Sequence, residues 1–197
     1  MTVAVVDSGG ANLGSVVQAL NRLGVEGVLT RDAATIRQAS RVILPGVGAA
    51  AWSMNALVEH GLVDVIRGLT QPVLGICLGL QLLFESSDEG ETPCLGILPG
   101  RVRRLETGPG LRLPHMGWNR VDWRVADPLA AGLDGGEWFY FVHSFAAPAE
   151  NAVATSRHGR EFAAVVRRDN FAACQFHPEK SAGPGRRILR NFLEHPA

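Results

Sequence analysis

The 197-residue chain is 46% apolar and balances 19 basic against 19 acidic side chains. That length and composition suit one large domain or two small ones with a substantial core, and the neutral balance gives a nucleic acid or an anionic membrane no obvious purchase. Three widely spaced cysteines without a CxxC pair argue against a disulfide framework and a zinc site and fit a reducing, cytoplasmic setting; no apolar run is long enough to span a membrane.

Thr2 to Asp7 reads as a short buried strand, entered directly with no signal-peptide pattern. A glycine-rich loop follows, Ser8 to Ser15, and then an amphipathic helix from about Leu13 to Leu23. The loop spacing is not GxGxxG, and no acidic residue closes the next strand, so an interaction role is favoured over a dinucleotide and no cofactor is expected. Glu26 to Thr30 and Arg41 to Leu44 read as the second and third strands. The third runs into Pro45-Gly46-Val47-Gly48, a turn that can either present backbone amides to an anion or simply connect strand to helix. Ala51 to Arg67 reads as one helix. The alternation of strand and helix predicts a parallel sheet covered on both faces, with the turns after successive strands opening at one edge.

The chain is organised around Val73-Leu74-Gly75-Ile76-Cys77-Leu78-Gly79-Leu80-Gln81-Leu82-Leu83-Phe84. A buried-strand run passes through Gly-x-Cys-x-Gly into helical spacing, the layout of a nucleophile elbow with cysteine in the usual place of serine. A core cysteine between packing glycines would give the same letters. In the elbow reading, the start of the next helix favours a thiolate and its free amides can hold an oxyanion.

Beyond Phe84 the character changes. The acidic loop Ser86 to Glu91 reads as solvated surface. Gly96 to Leu105 and Leu111 to His115 read as strands, and His115-Met116-Gly117-Trp118-Asn119 as a loop. Glu137 to His143 is a strong strand. Asn151 to Ser156, Phe162 to Arg167 and Phe171 to Gln175 suggest an antiparallel extension, and Pro184 to Leu193 a final helix. No linker divides the chain, so residues 1–197 are read as a single domain. His177-Pro178-Glu179 supplies what a thiol nucleophile requires: an imidazole base, and a carboxylate two residues on that can fix its tautomer. His143 is a competing base. His60, His158 and His195 sit in exposed contexts, His115 is structural or interfacial, and Cys94 and Cys174 are packing residues.

Gly75 to Gln81 together with Phe176-His177-Pro178-Glu179-Lys180-Ser181 resembles the class I (triad) glutamine amidotransferases. Pro45 to Gly48, His115 to Asn119 and Tyr140-Phe141-Val142-His143-Ser144 narrow the resemblance to the glutaminase subunits of imidazole glycerol phosphate synthase. The resemblance implies a flavodoxin-like, mixed and largely parallel sheet flanked by helices. It implies that Cys77, His177 and Glu179 are catalytic, and that Leu78 with the Val47-Gly48 turn forms an oxyanion hole. It further implies that Gln81, Ser144 and Phe145 hold glutamine, and that no metal or cofactor takes part. Ammonia would pass to a (β/α)₈-barrel cyclase subunit, with Asn12, Trp118 and Lys180 at that interface. Two positions depart from the family pattern: Ser8, where an aromatic is usual, and Phe145, where a tyrosine is usual. Rival readings are another class I amidotransferase, a cysteine hydrolase on a similar sheet, and an idle binding subunit.

Overall fold

The computed structural model describes residues 1–9, 13–150 and 152–195. The first half alternates β1 (Thr2–Val6), α1 (Leu13–Arg22), β2 (Glu26–Thr30), α2 (Ala33–Gln38), β3 (Arg41–Gly46), α3 (Ala50–Glu59), α4 (Val63–Arg67), β4 (Val73–Cys77) and α5 (Leu78–Leu82). The second half is strand-rich: β5 (Ser86–Ser87), β6 (Thr92–Pro93), β7 (Arg101–Arg104), β8 (His115–Arg120), β9 (Asp122–Trp123), β10 (Trp138–His143), β11 (Phe145–Ala146), β12 (Ala154–His158), β13 (Arg160–Arg168) and β14 (Phe171–Cys174), closed by α6 (Ala182–Glu194).

The main sheet has the order β2-β1-β3-β4-β14-β13-β12-β9. Pairing is parallel from β2 through β14 and antiparallel from there to β9. Strands buried on both faces read as continuous apolar runs. Here alternate residues feed two separate cores: Ala4, Val6, Val42 and Leu44 join Met54, Leu57 and Ile66 on one face. Val3, Val5, Ile43, Leu74 and Ile76 join Val16, Leu20, Ile188 and Phe192 on the other. Each fully buried leucine or isoleucine contributes roughly 1.5–3 kcal/mol, so either layer outweighs any single polar contact.

Several expectations change. Phe171 to Gln175, expected in the antiparallel extension, is antiparallel to β13 but parallel to β4, and the strands expected over 96–105 and 111–115 are confined to Arg101–Arg104 and begin at His115. The helix expected over 51–67 is two helices, broken where Gly61 takes φ +63° between α3 and α4. The acidic loop after Phe84 is an ordered segment: β5 and β6 pair with each other, β5 lies beside β7, and Arg101 bonds both Asp88 and Glu91. His115 to Asn119, read as a loop, belongs to strand β8, which pairs with β10 as a two-stranded ribbon. Its pattern is inverted: the polar His115 is buried while Met116 and Trp118 are exposed, so apolar alternation gave no strand signal.

Candidate active site

The parallel register ends β3 and β4 level, with Gly46 opposite Cys77. Cys77 leaves the strand at φ +55° and ψ −107°, a region that L side chains avoid. The flanking glycines make the bend possible. A Cβ on Gly79 would lie 1.8 Å from the Leu44 carbonyl oxygen, and one on Gly75 would lie 2.9 Å from both Ala173 and Gly79. One on Gly46 would stand 2.8 Å from the Cβ of Leu78, so the turn after β3 lies directly against the elbow. The helix after the elbow, α5, is only 5 residues long. A macrodipole needs aligned turns, so the local amide at Leu78 matters here more than a helix dipole.

The 46–49 turn is fastened at both ends. The buried Ser8 hydroxyl donates to the Pro45 carbonyl at 3.2 Å, and the Ala50 amide donates to the Glu89 carboxylate at 2.7 Å. Between these ties Gly48 takes φ +102° with open space around it. Only a residue without Cβ adopts that geometry without cost.

His177 follows β14 and arrives beside Cys77 because β14 pairs with β4. Its loop is pinned to β10: the His177 amide donates to the Tyr140 carbonyl at 2.8 Å. The Ser181 hydroxyl donates to the His177 carbonyl at 2.6 Å and accepts from the Tyr140 amide at 2.9 Å. Nδ1 of His177 lies 2.8 Å from Oε1 of Glu179, both side chains being almost fully buried. Nε2 is buried, faces the Cys77 sulfur and has no other hydrogen-bond partner. Burial alone would lower the imidazole pKa. Negative charge at Cys77, and then the Glu179 carboxylate, outweigh it and hold the pKa above its ordinary value.

A cavity of about 260 Å³ joins Cys77, Leu78 and His177 to Val47 and Gly48 on one side and to Gln81, Ser144 and Phe145 on the other. Gln81 Nε2 donates to the Phe145 carbonyl at 2.8 Å. Glu89 also lines the cavity. Sequence reasoning missed it because it sits in an acidic cluster that resembles ordinary surface; only its bond to the start of α3 separates it from its neighbours.

His143 lines the same cavity, but it is not free to act as a base. Its Nδ1 is 2.8 Å from the Phe145 carbonyl and its Nε2 2.9 Å from Nδ1 of His115. Burial holds His143 down to about 3 and His115 to about 4, so both are neutral at ordinary pH. His158 and His195, expected in exposed contexts, are half-buried, and His158 stacks on His115; His60 is exposed as expected. Cys94 and Cys174 are buried as expected, and burial raises both thiols, Cys94 to about 11.

Trp118 is 49% exposed and Lys180 is exposed, both away from the cavity lining, while Asn12 lies outside the described residues. Among the described residues no group of three or more His, Cys, Asp or Glu side chains could hold a metal, and no helix is long and apolar enough to cross a membrane.

Residues 4–195 match the family model described as glutamine amidotransferase class-I. The chain is 55% identical over 196 residues to the imidazole glycerol phosphate synthase subunit HisH of Xylella fastidiosa (strain Temecula1), covering 99% of this chain and 98% of that one. It is 51% identical over 192 residues to the subunit HisH 2 of Legionella pneumophila (strain Philadelphia 1), covering 97% and 96%. A crystal structure of a glutamine amidotransferase superposes with a TM-score of 0.74 at 25% identity, covering 98% of this chain and 97% of that one.

Proposed function

The chain belongs to the class I glutamine amidotransferases, and from that membership we infer that it is the glutaminase subunit of an imidazole glycerol phosphate synthase, acting in histidine biosynthesis. The observation that carries the reading is its identity, above 50% and end to end, with HisH subunits. The cavity geometry supports the chemistry.

In this reading Cys77 attacks the glutamine side-chain carbonyl, forming a C–S bond and an oxyanion. The Leu78 amide and an amide of the Val47-Gly48 turn receive that oxyanion; one such donor is typically worth ~3 kcal/mol of barrier. His177 protonates the departing nitrogen, the C–N bond breaks, ammonia leaves and a glutamyl thioester remains. His177 then takes a proton from water, hydroxide adds to the thioester, and collapse of the adduct releases glutamate and the Cys77 thiolate. Glu179 holds the His177 tautomer and stabilises the imidazolium. The cavity has room for a glutamine side chain, with Gln81 and the Ser144-Phe145 backbone at its head group. We add Glu89, whose carboxylate suits the α-ammonium group.

The ammonia passes to a (β/α)₈-barrel cyclase subunit, which makes imidazole glycerol phosphate and an aminoimidazole carboxamide ribotide. Trp118 and Lys180 are assigned to that contact, with the exposed Met116 two residues from Trp118 on the ribbon. The three cysteines are all free, which suits a reducing, cytoplasmic setting.

The test is glutamate release from glutamine by the chain alone and with the barrel cyclase plus its nucleotide ligand, with Cys77→Ala in parallel. Release that rises in the full mixture and vanishes in Cys77→Ala is the expected result. High release by the isolated chain, indifferent to the cyclase, would move the assignment to another amidotransferase. No Cys77-dependent release in any mixture would leave a binding subunit.

A further inference from the structure

Gln175, between β14 and His177, is fully buried beside the nucleophile and has no part in the mechanism above. Its register follows from β14, whose Cys174 pairs with Ile76, placing Gln175 next to Cys77. We propose that Gln175 is a further catalytic residue, whose amide N–H is the donor that holds the Cys77 thiolate. The proposal rests on the reading of Cys77 as the nucleophile.

The orientation of the amide carries the argument. Nε2 of Gln81 donates to the Phe145 carbonyl at 2.8 Å and to Oε1 of Gln175 at 3.1 Å, using both of its hydrogens. The Phe145 carbonyl cannot donate, so the Gln81 amide cannot be turned round. Oε1 of Gln175 must then face Gln81, and Nε2 of Gln175 faces the sulfur at 3.7 Å. Turning Gln175 over would set its oxygen against the sulfur and two NH₂ groups against each other.

The sulfur has a second neighbour, the Val142 carbonyl, also at 3.7 Å. That carbonyl can only accept, so it serves the thiol. Gln175 can donate, so it serves the thiolate. The same donor meets the sulfur again when the thioester's C–S bond breaks and the electron pair returns to sulfur. The titratable groups around the sulfur are His177 with Glu179 behind it, His143 from β10, Cys174 on β14, and Glu89 across the cavity. Among these, imidazolium at His177 is the one cationic form at neutral pH. Gln175 is the neutral donor that completes it.

The test is the pH dependence of Cys77 alkylation by iodoacetamide in the full chain, read by mass spectrometry, for wild type, Gln175→Met and Gln175→Glu. Cys77→Ala serves as the blank. The expected result is an upward shift of the alkylation midpoint by about one pH unit in Gln175→Met and by more in Gln175→Glu, where a carboxylate faces the sulfur. One unit is a tenfold change in the thiol–thiolate ratio. A packing role would lower the melting temperature and leave the midpoint in place; an unmoved midpoint in folded variants overturns the proposal. If Gln175→Met does not fold, Gln81→Met releases the Gln175 amide from its fixed orientation and is expected to shift the midpoint the same way. This readout needs no turnover. Absence of glutamate release with a shifted midpoint would sink the glutaminase reading and not the donor.

Discussion

Cys77 is held at φ +55°, a backbone conformation that costs roughly 1–3 kcal/mol for a side chain with a Cβ and persists only where its surroundings over-determine it. Gly75, Gly79 and Gly46 supply those surroundings by close approach, and the result is a sulfur lifted from the sheet edge into the cavity. At the same scale, Glu179 is a buried carboxylate bonded to one imidazole nitrogen. Glu179→Gln keeps the shape and the acceptor and removes the charge. Its kcat is expected to fall by about 10²–10⁴ with KM nearly unchanged, because the loss falls on the imidazolium that forms in the transition state. Steady-state glutaminase kinetics check it, and an unchanged kcat would remove Glu179 from the proposed triad.

The element that matters most is the turn between β3 and α3, tied at Pro45 by Ser8 and at Ala50 by Glu89. Glu89 serves two ends at once: it caps α3 and faces the cavity. Glu89→Ala is expected to raise KM for glutamine by at least tenfold and to lower stability by about 1 kcal/mol through the lost cap. A lowered melting temperature with unchanged KM would leave only the cap. The elbow and the His-Pro-Glu segment were legible in the letters, because sterics and proton chemistry restrict what can stand at those positions. The anchors of the turn were not, since Ser8 meets Pro45 across 37 residues and Glu89 meets Ala50 across 39. The ribbon strand β8 was illegible for a different reason: its apolar side chains face outward, which inverts the pattern by which a strand is recognised.

Across the whole molecule, the parallel half of the sheet brings the ends of β3, β4 and β14 to one edge, and with them residues about 100 positions apart; the alternation of elements predicts this for β3 and β4, while β14 joins them by an unforeseen parallel pairing with β4. The antiparallel half surrounds a pair of neutral histidines. His115 and His143 have folded pKa values of about 4 and about 3 against an ordinary 6.5. The unfolded chain therefore binds more protons between those values, and stability falls as pH drops from 6.5 toward 4. His177 runs the other way: its raised pKa gives a contribution already complete below 6.5 and lost only as pH rises, so it is flat across this window. Melting temperatures from pH 7 to 4 are expected to fall less steeply in the His115→Asn/His143→Asn double variant. Parallel curves would show that other groups govern the acid limb.

The ribbon has a mechanical consequence. Ser181 and the His177 amide clamp β10 at Tyr140, opposite Trp118 in β8, so the imidazole is bolted to the strand that backs the exposed tryptophan. A load on that tryptophan would reach the residue that bears the imidazole through one cross-strand pair and the Tyr140–His177 backbone hydrogen bond.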